Sequence, residues 1–157
     1  MESRHSHAIS QPSTGAARRR ARIPGPTSTS PSRGTILTVD DDPDALTLLR
    51  LLLRSEGFEV LAATSGAAAL QSVRERMPDI IITDLTMPGM TGLDLCRHLR
   101  DSDETRHVPI IVHTAESVPA THPLYDRAFR KPTDFSALLS TLYRLLASAR
   151  SDEARSG

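Results

Sequence analysis

The stretch Asp79-Ile80-Ile81-Ile82-Thr83-Asp84 constrains the fold of this chain more than any other. Three consecutive β-branched residues without polar alternation suit a strand covered on both faces, and such strands belong to parallel sheets. Two similar runs accompany it. Residues 35–39 are apolar and lead into Asp40-Asp41, and residues 108–113 lead into Thr114. Weaker strands are expected at 58–62 and 126–130. Helical patterns lie between the strands. Asp42 is placed as an N-cap with Pro43 at the first helical position. Leu46, Leu49 and Leu53, joined by Leu48 and Leu52, form a wide stripe that Gly57 ends. Ser65 is expected to cap a second helix carrying Ala69, Leu70 and Val73. A third runs over 92–100 with Leu95 and Leu99 on one face. Thr133 is expected to cap a last helix striped by Phe135, Leu138, Leu139, Leu142 and Leu146. Strands alternating with helices predict βαβ units with right-handed crossovers.

Composition sets the remaining bounds. Of 157 residues, 38% are hydrophobic and only 3% aromatic, so the core must be aliphatic. No run approaches the ~18 apolar residues of a membrane helix, and no membrane span is expected. Cys96 stands alone. It excludes an internal disulfide and cysteine-pair zinc sites, and fits a reducing compartment. The net charge of zero conceals a split: residues 1–34 carry six arginines against Glu2 alone, and the rest carries 13 bases against 18 acids. Residues 1–33, rich in Pro, Ser and Arg, are expected to be a disordered basic tail. For Arg18-Arg19-Arg20 and Arg22, a solvated tail is favoured over contact with nucleic acid. The domain is expected over 34–149, followed by a polar tail at 150–157.

In open parallel sheets, chemistry gathers beyond the carboxyl ends of the strands, where strand order reverses. Asp40-Asp41, Asp84, Thr114 and Lys131 all stand at such ends. Two carboxylates ~4 Å apart repel by about 4 kcal/mol at an effective dielectric near 20. A hard divalent ion relieves that repulsion, and magnesium prefers few carboxylates together with water and phosphate oxygens. Such a site suits phosphoryl transfer, with an aspartate able to take the phosphoryl group. Lys131 is the only lysine beside 18 arginines. A compact ammonium at this position suits contact with a phosphoryl oxygen better than a planar guanidinium.

Residues 35–148 resemble a bacterial response-regulator receiver domain. The resemblance is carried by Val39-Asp40-Asp41-Asp42-Pro43, by the block from Asp79 to Gly92 that includes Thr83-Asp84-Leu85-Thr86-Met87-Pro88-Gly89, by Val108 to Ala115, and by Lys131-Pro132. Four ordered motifs are far more specific than an isolated acidic pair. The resemblance implies a flavodoxin-like, doubly wound α/β fold with a five-stranded parallel sheet in the order 2-1-3-4-5. It implies Asp84 as phosphoacceptor, and magnesium (or manganese) held by Asp40, Asp41, Asp84 and the Thr86 backbone carbonyl. Thr114, Ala115 and Lys131 become the phosphoryl-binding and switch positions. It implies a phosphorelay partner, either a histidine kinase or a histidine phosphotransfer protein, then a downstream protein, in the cytoplasm. The chain would be a phosphoacceptor rather than a turnover enzyme, limited to self-phosphorylation from a donor and autodephosphorylation. With no output domain following, a stand-alone, chemotaxis-type receiver is expected.

The chain departs from the family pattern in one region. Only 17 positions separate Thr114 from Lys131, and Pro119 and Pro123 oppose a regular helix between them. The fourth helix is therefore expected to be short or irregular. Ala128 stands where the family places an aromatic switch residue, and Phe129, one position later, should face the other side of the sheet. These departures favour one alternative, a degenerate receiver that binds partners without phosphorylation. An aspartyl-phosphate-type phosphatase, using Asp40 and Asp42, is a second. A calcium loop is rejected, because Ala45 and Leu51 occupy the places of its glycine and its bidentate glutamate. His113 is expected to be a satisfied strand-end histidine, and Cys96 a packed helix residue.

Overall fold

The computed structural model describes residues 31–157. The strands are β1 (Thr35–Val39), β2 (Glu59–Ala63), β3 (Ile80–Thr83), β4 (Ile110–Thr114) and β5 (Arg127–Arg130), all parallel in the order β2-β1-β3-β4-β5. The helices are α1 (Pro43–Ser55), α2 (Gly66–Glu75), α3 (Gly92–Asp101) and α4 (Phe135–Arg155). The strand order reverses between β1 and β3, so the loops after those two strands face each other across the switch point.

The three isoleucines of β3 explain the two-faced sheet. Ile81 packs with Leu37, Val73, Leu95, Leu99 and Ile110 in one apolar cluster. Ile80 and Ile82 pack with Ile36, Leu53, Leu138 and Leu142 in the other. All three are at most 1% exposed, and each contributes on the order of 1.5–3 kcal/mol of burial. The expected caps at Asp42 and Ser65 are present, accepting from the Asp44 and Ala68 amides at 3.0 and 3.1 Å. The cap of α4 is Asp134 rather than Thr133, because Asp134 Oδ1 takes the Ser136 amide at 2.9 Å and the Thr133 hydroxyl is engaged elsewhere. The stripe on α1 is narrower than expected. Leu46 and Leu53 are buried, but Leu48 is 60% exposed, since it lies off the line that meets the sheet.

No helix forms between β4 and β5. In that segment His122 and Tyr125 pair as an antiparallel bridge with their rings stacked at 5.1 Å. Tyr125 is buried in the first cluster, and its hydroxyl donates to the Pro119 carbonyl at 2.8 Å. The Ala128 amide donates to the Ala120 carbonyl at 2.9 Å, which lays the segment along the outer edge of β5. The prolines oppose a helix here, and Tyr125, with Val118 and Leu124 beside it, packs the segment onto the first cluster. On β5 itself, Ala128 packs in the first cluster and Phe129 in the second, the opposite faces that alternation requires.

Residues 1–30 of the expected tail lie outside the described residues. Arg33 does not behave as tail: its amide donates to the Gly57 carbonyl at 3.1 Å and its guanidinium lies 5.5 Å from the Tyr143 ring centre. At the other end α4 continues to Arg155, beyond the apolar stripe and through most of the expected polar tail.

Gly92, the first residue of α3, is required by close approach. A Cβ there would lie 2.0 Å from the Asp84 carbonyl oxygen and 2.7 Å from the Leu85 Cα. Gly92→Ala should therefore destabilise the domain by about 1–3 kcal/mol through overpacking, despite alanine's better helix propensity. A denaturant melt reads this, and a variant at least as stable as the parent would refute the tight α3 contact.

Candidate functional site

The backbone first brings the strand ends together. The Asp84 amide donates to the Val39 carbonyl at 2.9 Å, tying the end of β3 to the end of β1. The Lys131 amide donates to the Thr114 carbonyl at 2.8 Å, tying the end of β5 to β4. Asp40, Asp84 and Lys131 are thus set at one edge of the sheet by ladder geometry before any side chain acts.

The side chains then close on one another. Lys131 Nζ donates to Asp40 Oδ2 at 2.6 Å and to Asp84 Oδ2 at 3.0 Å. Asp40 Oδ1 accepts the Asp42 amide at 3.0 Å. Asp84 Oδ1 accepts the Leu85 and Thr86 amides at 2.6 and 3.2 Å. Burial raises the Asp84 carboxyl pKa, but the bonds from Lys131, Thr86 and Leu85 outweigh it and hold the group below its ordinary 3.8. Burial likewise lowers Lys131, yet Asp40 and Asp84 outweigh it and hold the ammonium above its ordinary 10.5. Both groups are charged at neutral pH.

Asp41 completes an acidic cluster. One oxygen each from Asp40, Asp41 and Asp84 lies within 4.8 Å of the others. Three carboxylates against one ammonium leave an excess of two negative charges. An all-oxygen donor set with that excess fits a hard divalent cation. Asp41 is exposed and brings its oxygen from the solvent side, whereas Asp40 is buried. The Thr86 backbone carbonyl accepts no hydrogen bond among the described residues. Asp42, by contrast, is spent on capping α1.

Thr114 is 1% exposed, and its hydroxyl accepts the Glu116 amide at 3.2 Å. The Glu116 carboxylate in turn accepts the Thr86 hydroxyl. This chain of bonds joins the end of β4 to the loop after Asp84, with Ala115 exposed between its members. Glu116 belongs to none of the recognisable motifs, and only the fold brings it opposite Thr86. His113 is the satisfied strand-end histidine expected from the sequence, its Nε2 lying 2.8 Å from Thr133 Oγ1. It lines a recess with Thr38, Leu46, Asp40 and Asp84, below the acidic cluster.

The Lys131 pairing has a defined pH window. Its share from Asp84 is present above 3.8 and is lost as pH falls through the depressed folded value. Its share from Lys131 is complete below 10.5 and is lost as pH rises through the raised folded value. Lys131→Met should lower stability by about 2 kcal/mol at neutral pH, because two nearly buried carboxylates lose their counter-charge. The deficit should shrink as pH falls through the depressed Asp84 value, below 3.8, where the wild type loses that share of the pairing. Denaturant melts across pH check this, and a deficit independent of pH would contradict the charge pairing.

Comparison with known proteins places this geometry. A family model for the response regulator receiver domain matches residues 36–142. The DNA-binding response regulator MtrA of Mycolicibacterium smegmatis is 45% identical over 85 residues, which is 54% of this chain and 36% of MtrA. The chain therefore spans about a third of the length of that curated relative. The signal receiver domain of a signal transduction histidine kinase from Syntrophus aciditrophicus superposes with a TM-score of 0.68 at 32% identity, covering 73% of this chain and 91% of that one. The response regulator TrrA of Thermotoga maritima, solved with Mg2+ and BeF, superposes with a TM-score of 0.65 at 31% identity, covering 71% and 97%. The motifs quoted from the sequence lie inside the matched span. The chain belongs to the response regulator receiver domain family.

Proposed function

We propose that Asp84 accepts a phosphoryl group from the phosphohistidine of a histidine kinase or a histidine phosphotransfer protein. Receiver domains are the phosphorylated modules of two-component signalling. An Asp84 carboxylate oxygen attacks phosphorus. The bond from phosphorus to the imidazole nitrogen breaks, its electron pair stays on the imidazole, and Asp84 becomes an acyl phosphate. Water later attacks that phosphorus, returning the carboxylate and inorganic phosphate. Asp40, Asp41, Asp84 and the Thr86 carbonyl would hold a magnesium ion, for which manganese is the nearest substitute. The bound ion supplies charge neutralisation for the phosphoryl oxygens.

The observation that carries this reading is the Lys131 ammonium, 2.6 Å from Asp40 and 3.0 Å from Asp84. It keeps Asp84 ionised as a nucleophile and offers a point charge to an incoming phosphoryl oxygen. The Thr114 hydroxyl and the backbone at Ala115 are the further contacts we assign to that group. Taking them up would loosen the bonds through Glu116 and alter the surface offered to a downstream protein. A cytoplasmic location goes with this reading. Asp42, the acid a phosphatase reading would use, gives one carboxylate oxygen to the cap of α1.

One observation favours a second reading. The segment between β4 and β5 has no helix, and Ala128 rather than an aromatic residue pairs with Val112. A chain altered at its switch could bind partners without phosphorylation. Incubation of the full chain with a small acyl phosphate and magnesium separates the two. The wild type should gain the mass of one phosphoryl group, while Asp84→Asn, or the wild type with a chelator, should gain none. An unchanged wild-type mass would sink the phosphoacceptor reading in favour of the second.

A further inference from the structure

Lys131 is gripped from β4 twice, once by backbone and once by a side chain. The backbone grip is the Lys131 amide on the Thr114 carbonyl at 2.8 Å. The side-chain grip comes from the preceding residue. His113 Nε2 lies 2.8 Å from Thr133 Oγ1, two residues beyond Lys131. The Thr133 hydroxyl has one proton and donates it to the Arg130 carbonyl at 2.9 Å. A carbonyl can only accept, so Nε2 carries the hydrogen and His113 donates to Thr133. The bonds bracket Lys131: Arg130 and Thr133 are locked to each other on either side of it, and His113 fixes both to β4.

We infer that His113 is a positioning residue for Lys131, holding the Arg130–Thr133 turn so that the lysine ammonium reaches Asp40 and Asp84 together. His113 pairs with Phe129 across β4 and β5 and faces the α1 and α4 layer. It is half-buried, and the charged groups around it are Asp40, Asp84 and Lys131. Burial, reinforced by the Lys131 charge, holds its pKa below the ordinary 6.5, so the ring is neutral at pH 7 and carries the single N–H that the bond to Thr133 uses. A lysine stem has four rotatable bonds and loses about 2 kcal/mol of rotamer freedom when fixed. Fixing its backbone from both sides reduces how far the ammonium can wander from the two carboxylates. The consequence for phosphoryl uptake rests on the phosphoacceptor reading above; the contact itself does not.

The chain's single lysine makes the test direct, because [15N]lysine labelling of the full chain yields one Nζ signal. The readout is exchange of the Lys131 ammonium protons with water, in protein free of metal and phosphate. His113→Leu and Thr133→Val should each speed that exchange about fivefold, the ratio that one ordinary hydrogen bond supports. The double variant should be no faster than either single one, and Thr133→Ser, which keeps the hydroxyl, should restore slow exchange. With magnesium saturating, His113→Leu should slow phosphoryl uptake by a similar factor. Exchange unchanged in His113→Leu, or additive in the double variant, overturns the inference even if Asp84 is phosphorylated normally. A wild type that never gains phosphate would sink the phosphoacceptor reading alone and leave the exchange result standing.

Discussion

The contact on which the rest of the site depends is the Lys131 ammonium shared by Asp40 and Asp84. It joins residues 91 and 47 positions apart in the chain. Without it, two nearly buried carboxylates would face each other beside a third, and at least one would have to protonate or turn away. On the proposed phosphoacceptor reading, a protonated Asp84 would be a poor nucleophile. The sheet order makes the contact possible: β1 and β3 are neighbours, so Asp40 and Asp84 emerge side by side, and β5 reaches them only through β4.

The fold was legible because its strongest signals are local. The triple isoleucine, the caps at Asp42 and Ser65 and the leucine spacing on α4 each report burial or a helix terminus within a few residues. The four-residue β5 is the weakest of these, since Arg127 and Arg130 flank only two apolar positions. The site was legible for a different reason. Carboxylates and a lone lysine at strand ends have few structural uses, so residue type and position together point to one pocket. The absent helix was foreshadowed by Pro119 and Pro123, but its replacement was not. That Tyr125 packs into the first cluster depends on a tertiary fit which no local pattern encodes.

What stayed hidden shares one character. His113, Thr133 and Glu116 act through hydrogen bonds between segments far apart in sequence, and a polar residue in a loop looks the same whether or not it has such a partner. Thr133 looked like a helix cap because Ser, Thr and Asp compete for that role at adjacent positions. Asp134 won it, which left the Thr133 hydroxyl free to meet β4. The exposed Leu48 similarly marks the limit of stripe counting, since helical spacing says which residues share a face and not how wide a face the sheet will cover.

The strip laid along β5 has an effect beyond the site. A terminal strand whose outward amides are open is a template on which a second chain can add, and in a sheet this apolar such addition would lead toward insoluble assemblies. Here the Ala128 amide is already taken by Ala120 of the same chain, and exposed Arg127 and Arg130 flank it with like charge. The connection that carries no helix therefore also occupies one outward amide of β5, leaving one fewer open position for strand addition.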